Sequence, residues 1–237
     1  MTAAPLPNRP SRGRSSGDNL VPMSIPTRAY PAAIRRSIPA AFLVVIAACS
    51  TAAPPEDAPL DAVPPVPAAE QEAFWAALTA HCGRAYGGKL SDVTPHYQGN
   101  VGRAAVIHFF DCDANRIHIP LHLDDDRSRN WILTRVNGTI RLKHDHRHAD
   151  GTEDSVTQYG GDASVPGLAT RQIFPADVHT ASILPLRADN FWFFDFVTPE
   201  TLQYGVHWPK MGHSIRYEFD LSTPVPAPPP PWGYGPR

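Results

Sequence analysis

Three histidines alternate along one short stretch, His144-Asp145-His146-Arg147-His148, and Asp150 follows two residues later. Alternate residues of a β-strand share a face, so His144 and His146 present two imidazoles side by side, and His148 joins them if the strand runs on straight. Two or three imidazoles with a carboxylate nearby are the donor set of a divalent metal. The same pair can instead hydrogen-bond an anionic or hydroxylated small molecule at a pocket mouth. The plainest alternative is a charged strand end rising into solvent. A second constellation lies near the C-terminus, where a four-residue loop, Pro209–Gly212, pairs Trp208 with His213 and sets both on the face of Tyr204, Val206, Ile215, Tyr217 and Phe219. Trp131, His144, His146, Trp208 and His213 are therefore the candidate ligand-binding residues, and His144, His146 and His148 the candidate metal ligands.

The element that positions the histidines can be worked out from its turn. Asn137-Gly138 is a strong two-residue hairpin signal, and it pairs Val136 with Thr139, Arg135 with Ile140, Leu133 with Leu142, Trp131 with His144 and Arg129 with His146. Opposed residues share a face. One face thus carries Trp131, Leu133, Ile140, Leu142, His144 and His146 and is expected to point inward. The other carries Asn130, Ile132, Thr134, Arg141, Lys143 and Asp145 and is expected to be solvated.

Around this hairpin the chain reads as one helix followed by strands. Residues 69–82 place Phe74, Leu78 and Cys82 at spacing four with Glu70 and Glu72 in the first turn, which predicts a helix. Strands are expected at 104–111, 116–123, 130–136, 139–146, 191–197, 202–208 and 213–221, with weaker ones near 155–159, 171–174 and 178–184. In 116–123 the residues Ile117, Ile119, Leu121 and Leu123 alternate with His118, Pro120 and His122. Sequential strands at short spacing predict a mainly β fold, an antiparallel meander closed as a lipocalin-like barrel with the helix on one end or the outer wall. A two-sheet sandwich is the alternative.

The segment Gly138-x5-His144-x-His146-x3-Asp150 resembles the first half of the cupin metal motif, with Asp150 where that family has Glu. The second cupin motif does not match at Pro209, Gly212 and His213. The resemblance implies a metal-dependent enzyme using His144 and His146. Asp111-x-Asp113-x-Asn115 starts like a calcium loop, but Arg116 and His122 stand where Gly and Glu are required. Nucleophile-elbow, P-loop and dinucleotide glycine patterns are absent. The stretches DDDRSRNWILTR, RLKHDHRHADG and VTQYGGD resemble uncharacterised secreted proteins of proteobacteria, which implies export and a β-rich domain but no activity.

Residues 23–50 add an address. Arg28, Arg35 and Arg36 precede the apolar run Ile38–Ala48, which is too short to span a bilayer and has the form of a secretory signal. Its end, Ile46-Ala47-Ala48-Cys49, resembles the lipobox of bacterial lipoproteins, in which the cysteine is acylated and opens the mature chain. Met23 gives a conventional leader length, so residues 1–22 read as an over-extended start. The resemblance implies that Cys49 inserts into the membrane lipid, and Ser50 after it favours the outer membrane, facing the periplasm. Residues 1–48 hold six Arg and one Asp, so the chain from Cys49 onward has 15 basic and 22 acidic residues. That acidic balance excludes a nucleic-acid partner.

Of 27 prolines, 13 lie in residues 1–70 and seven in residues 222–237. Residues 49–69 read as an extended tether and 223–237 as a disordered, solvated tail, leaving 70–222 as the β-rich domain. Cys82 and Cys112 remain as an even pair in an oxidising compartment, which predicts a disulfide. The sequence thus supports a non-catalytic binding or envelope-accessory module for an unknown small molecule or envelope protein, with no cofactor expected. A cupin-like enzyme with a divalent metal and a structural envelope protein are the alternatives.

Overall fold

The computed structural model describes residues 68–94, 98–163 and 166–235. The leader, Cys49 and the tether up to residue 67 lie outside the described residues.

Helix α1 (Ala69–Thr79) buries Gln71, Phe74, Trp75 and Leu78. Eleven strands follow: β1 (Ala85–Val93), β2 (Ala105–His108), β3 (Asp111–Cys112), β4 (Arg116–Leu123), β5 (Asp126–Val136), β6 (Thr139–His146), β7 (Tyr159–Asp162), β8 (Arg171–Pro175), β9 (Phe191–Thr198), β10 (Thr201–Trp208) and β11 (His213–Val225). A short helix, α2 (Val178–Ile183), lies between β8 and β9. All strands join one antiparallel sheet in the order β7-β6-β5-β4-β2-β1-β11-β10-β9-β8, with β3 paired to β4. The sheet curls into a nearly closed, lipocalin-like barrel. Its two end strands meet through the turn into α2, where the Asp177 N–H donates to the Gly160 carbonyl at 2.8 Å and the Gly160 N–H donates to the Thr180 hydroxyl at 2.7 Å. Gly161 lets this seam close, because a Cβ there would stand 1.9 Å from the Pro175 carbonyl oxygen.

Pairing of β5 with β6 follows the expected register from Val136↔Thr139 to Arg129↔His146. Asn137 and Gly138 take φ of 49° and 71°, as a two-residue turn between twisted strands requires. Trp131, Leu133, Ile140 and Leu142 are buried in the interior beside Ile117, Ile119 and Phe219. Helix α1 covers the barrel end at this turn: Gln71 Nε2 donates to Thr139 Oγ1 at 3.2 Å, and the Arg135 guanidinium donates to Glu72 at 2.8 Å while lying over the Trp75 ring. Arg129 and His146, at the far ends of the same strands, stand at the opposite end of the barrel.

The structure corrects two expectations and adds a strand that was not foreseen. The expected strand at 178–184 is instead α2 with its C-cap, because the Asp177 side chain accepts the Thr180 N–H at 2.8 Å and caps a helical turn. β1 lies where no strand was expected, after the helix and across Gly87-Gly88. Gly88 lets β1 approach β11, since a Cβ there would stand 2.2 Å from the Phe219 ring. The proline-rich C-terminus is neither detached nor bare. Strand β11 runs to Val225, and the following chain straps the outer face of β4–β6. There the Trp232 N–H donates to the Arg127 carbonyl at 3.1 Å, Arg127 donates back to the Pro230 carbonyl at 3.1 Å, and the Tyr234 hydroxyl donates to Asp145 at 2.6 Å.

A disulfide joins Cys82, just after α1, to Cys112 in β3 across 30 residues. Closing a loop of that length in the unfolded chain corresponds to about 3–4 kcal/mol on the chain-entropy account. No helix among the described residues is long and apolar enough to cross a membrane.

Candidate functional site

The barrel end away from α1 holds a cavity of about 390 Å³. Its walls are the inward faces of β5, β6, β9, β10 and β11, completed by the 154–159 loop and the 3-10 turn Pro185–Arg187. Trp131 and His144 reach it from opposed positions of the β5–β6 hairpin, His146 one alternation further on, and Trp208 from the end of β10. The alternation that buries Leu133 and Leu142 deeper in the barrel thus carries two imidazoles to its mouth.

The histidines are held by tyrosines. His144 Nδ1 lies 3.1 Å from the Tyr159 carbonyl oxygen and its Nε2 lies 2.7 Å from the Tyr204 hydroxyl. A carbonyl only accepts, so Nδ1 carries the proton and Nε2 accepts from Tyr204. Burial, reinforced by neighbouring His146, lowers the His144 pKa to about 3. The Tyr159 ring stacks on His144 at 4.5 Å and 10°, and its hydroxyl shares a 2.9 Å hydrogen bond with His146 Nε2. Burial and then Arg129 lower His146 to about 4. Burial raises the Tyr204 phenol well above its ordinary value. At neutral pH all three groups are uncharged.

Beyond them the wall is aromatic and aliphatic. Trp131 packs against Tyr204 with ring centroids 3.9 Å apart, and Trp192 lies 5.1 Å from His144. Charge enters only near the opening. Arg129 is paired with Asp126, Asp154 accepts the Val156 N–H at 2.8 Å, and Arg187 lies over the Trp208 ring at 5.8 Å.

The other expected residues fall elsewhere. His213 pairs with Trp208 across β10–β11 but does not line the cavity. His148 and Asp150 are exposed in the turn after β6, where the chain leaves the strand and the His148 N–H donates to the Thr152 carbonyl at 2.8 Å. The metal set His144, His146 and His148 is therefore not assembled, and Asp150 does not supply a fourth donor. Both His144 nitrogens already have partners, and no cluster of three or more His, Cys, Asp or Glu suited to a metal ion occurs among the described residues.

The expected solvation of the hairpin's outer face is also corrected. Asn130 and Asp145 are 2% and 1% exposed. Asp145 accepts from Arg147 at 2.9 Å, Gln158 at 3.0 Å and Tyr234 at 2.6 Å, so the strap and the loop after β6 replace water there.

Sequence reasoning missed Tyr159, Arg187, Asn190 and Trp192 as cavity residues. Tyr204 was legible as the partner of Trp208 at alternate spacing, and Trp192 lies in an expected strand. Tyr159 opens β7 at the end of a weakly expected strand, and Arg187 and Asn190 come from the chain before β9, where no periodicity marks the inward side. No protein-family model matches the chain, and no curated protein or solved structure does either.

Proposed function

We propose that this chain is a non-catalytic binding protein of the bacterial cell envelope whose barrel holds a small organic molecule in the cavity beside His144 and His146. The observation that carries the reading is the cavity wall itself, aromatic and aliphatic residues interrupted by a few convergent polar groups, which is the composition of small-molecule sites. Its histidines and Tyr204 are neutral, with His144 hydrogen-bonded to Tyr204 and His146 to Tyr159. They are arranged to orient a ligand rather than to move a proton at neutral pH.

Envelope placement rests on the leader. Acylation at Cys49 would anchor the domain in the outer membrane facing the periplasm, and residues 50–67 would serve as the tether. The Cys82–Cys112 bridge suits the oxidising side of that membrane. Intact-mass measurement of protein extracted from membranes should show a diacyl or triacyl group on an N-terminal Cys49. Unmodified full-length protein in the cytoplasm would end this placement.

Binding is tested by native mass spectrometry of protein purified from its own envelope. A discrete non-covalent adduct is expected, and it should vanish in Val206→Trp, which fills the cavity. An adduct retained by that variant would move the ligand elsewhere.

A further inference from the structure

We infer that the cavity selects organic anions with a flat apolar body, and that Arg187 is the residue that reads the negative charge. This rests on the binding reading above and assigns its ligand class.

Three features of the opening lead there. Arg129 already faces Asp126, and Asp154 already accepts backbone and serine hydrogen bonds, so both are engaged within the protein. Arg187 is different. It stands on the cavity wall, and no ion pair engages it among the described residues. Its contact is the Trp208 ring, 5.8 Å from the guanidinium carbon, a cation–π approach that does not consume its hydrogen-bond donors. A guanidinium in that state is suited to a carboxylate, which it can grip with two parallel N–H donors.

Asn190 adds a second requirement. It is 2% exposed, lines the same cavity, and its amide oxygen has no hydrogen-bond partner among the described residues. A buried acceptor left unmet costs about 1–3 kcal/mol, so a ligand carrying an N–H or O–H donor gains by supplying it. The Arg187 carbonyl accepts the Asn190 N–H at 3.1 Å, so one turn of chain presents both the cation and the acceptor. The rest of the wall is apolar, aliphatic at Leu121, Val206 and Ile215 and aromatic at Trp131, Trp192 and Tyr204, which offer ring faces. The histidines add no charge of their own, because burial keeps them neutral. The matching ligand is a planar ring bearing a donor hydrogen and a carboxylate.

The test uses three probes that share one ring and differ in charge: indole-3-acetate, tryptophol and tryptamine, titrated calorimetrically into the purified protein at neutral pH. Indole-3-acetate should bind about tenfold or more tighter than tryptophol, as a charge-assisted hydrogen bond implies, and tryptamine should bind weakest. Arg187→Met keeps the stem over Trp208 and removes the charge, so it should bring indole-3-acetate down to the level of tryptophol while leaving tryptophol unchanged. Equal binding of all three by the wild-type protein would overturn the anion assignment but leave a ring-binding cavity. Unchanged selectivity in Arg187→Met would overturn the role of Arg187. If none of the three binds to the folded protein, the anion assignment falls. A co-purifying adduct removed by Val206→Trp would then still uphold the binding reading, for a ligand of another shape.

Discussion

On the inner face of β5 and β6, Trp131, Leu133, Ile140 and Leu142 are buried against the rest of the barrel; on the outer face of the same strands, Asn130 and Asp145 are buried to the same degree beneath the C-terminal strap. The inner face is assembled by a non-directional force, so any well-shaped apolar partner will serve. The outer face is assembled from a carboxylate, a phenol, an amide and a guanidinium, each of which must meet a particular donor or acceptor or the burial is unfavourable. Periodicity therefore predicts the first kind of burial and is silent about the second.

That difference is open to direct attack, beginning where the effect should be greatest. Trp131→Ala removes a fully buried ring in contact with Tyr204 and Phe194, and should cost about 3–5 kcal/mol in urea denaturation. A loss below about 1 kcal/mol would mean that the inner face is not the close-packed interior described.

The outer face should respond through its partners. Asp145→Ala leaves Tyr234, Gln158 and Arg147 without their shared acceptor and should cost about 3 kcal/mol, as for other buried charged hydrogen bonds. In a chain ending at Val225 the strap is gone and water can reach these groups, so the same substitution should cost under about 1 kcal/mol, in line with exposed ion pairs. Equal costs in the two backgrounds would show that the strap does not bury Asp145.

The strap also explains which parts were legible in the sequence. The hairpin register, most strands of the barrel, α1 and the Cys82–Cys112 pair follow from local signals: a turn dipeptide, alternation, spacing four and an even cysteine count, whereas β1 gave no such signal and 178–184 gave a false one. The inward positions of Trp131, His144, His146 and Trp208 follow from the same alternation. Asp145 and the proline-rich end were each read by residue type as solvated, and the two misreadings are one error. Neither segment reveals the other, because Tyr234 meets Asp145 across 89 residues. Arg187 and Asn190 escaped for a related reason: a 3-10 turn over a barrel mouth has no period to read. The alternation that brought His144 and His146 inward gave no warning that β6 would end before His148.

Acid sensitivity draws on both faces at once. His144 and His146 inside, and His122 on the outer face of β4, have pKa values lowered to about 3, 4 and 4. For His122 the first cause is burial, aided by Arg127 and His108 and opposed by Asp126. The unfolded chain takes up protons near pH 6.5 while the folded chain does not. Stability is therefore full above that pH and falls as pH drops toward 4, each histidine contributing up to about 1.4 kcal/mol per pH unit. Asp126, depressed to about 2, acts only below this window. Urea midpoints measured from pH 7 to pH 4 should fall steeply, and His122→Asn and His146→Asn should each flatten the slope. A flat profile for the wild-type protein would contradict the neutral burial of these rings on either face.

The smallest effect separates the two forces within the inner face itself. The turn dipeptide and the apolar pattern both specify the β5–β6 register, and the two can be separated. Gly138 sits at φ 71°, where an Ala side chain meets steric resistance of about 1 kcal/mol or slightly more. Slipping β6 by one residue against β5 to relieve that strain would turn Ile140 and Leu142 outward, at about 1.5–3 kcal/mol each, while Leu133 stays in place. The pattern outweighs the turn several-fold. Gly138→Ala should accordingly lower stability by about 1 kcal/mol and leave the pairing intact. Disulfide trapping reads the pairing directly: Ile132→Cys with Lys143→Cys, opposed residues on the outer face, should cross-link in the Gly138→Ala background as readily as in its absence. Loss of that cross-link while the domain remains folded would give the register to the turn, and the burial of Ile140 and Leu142 would then be its consequence rather than its cause.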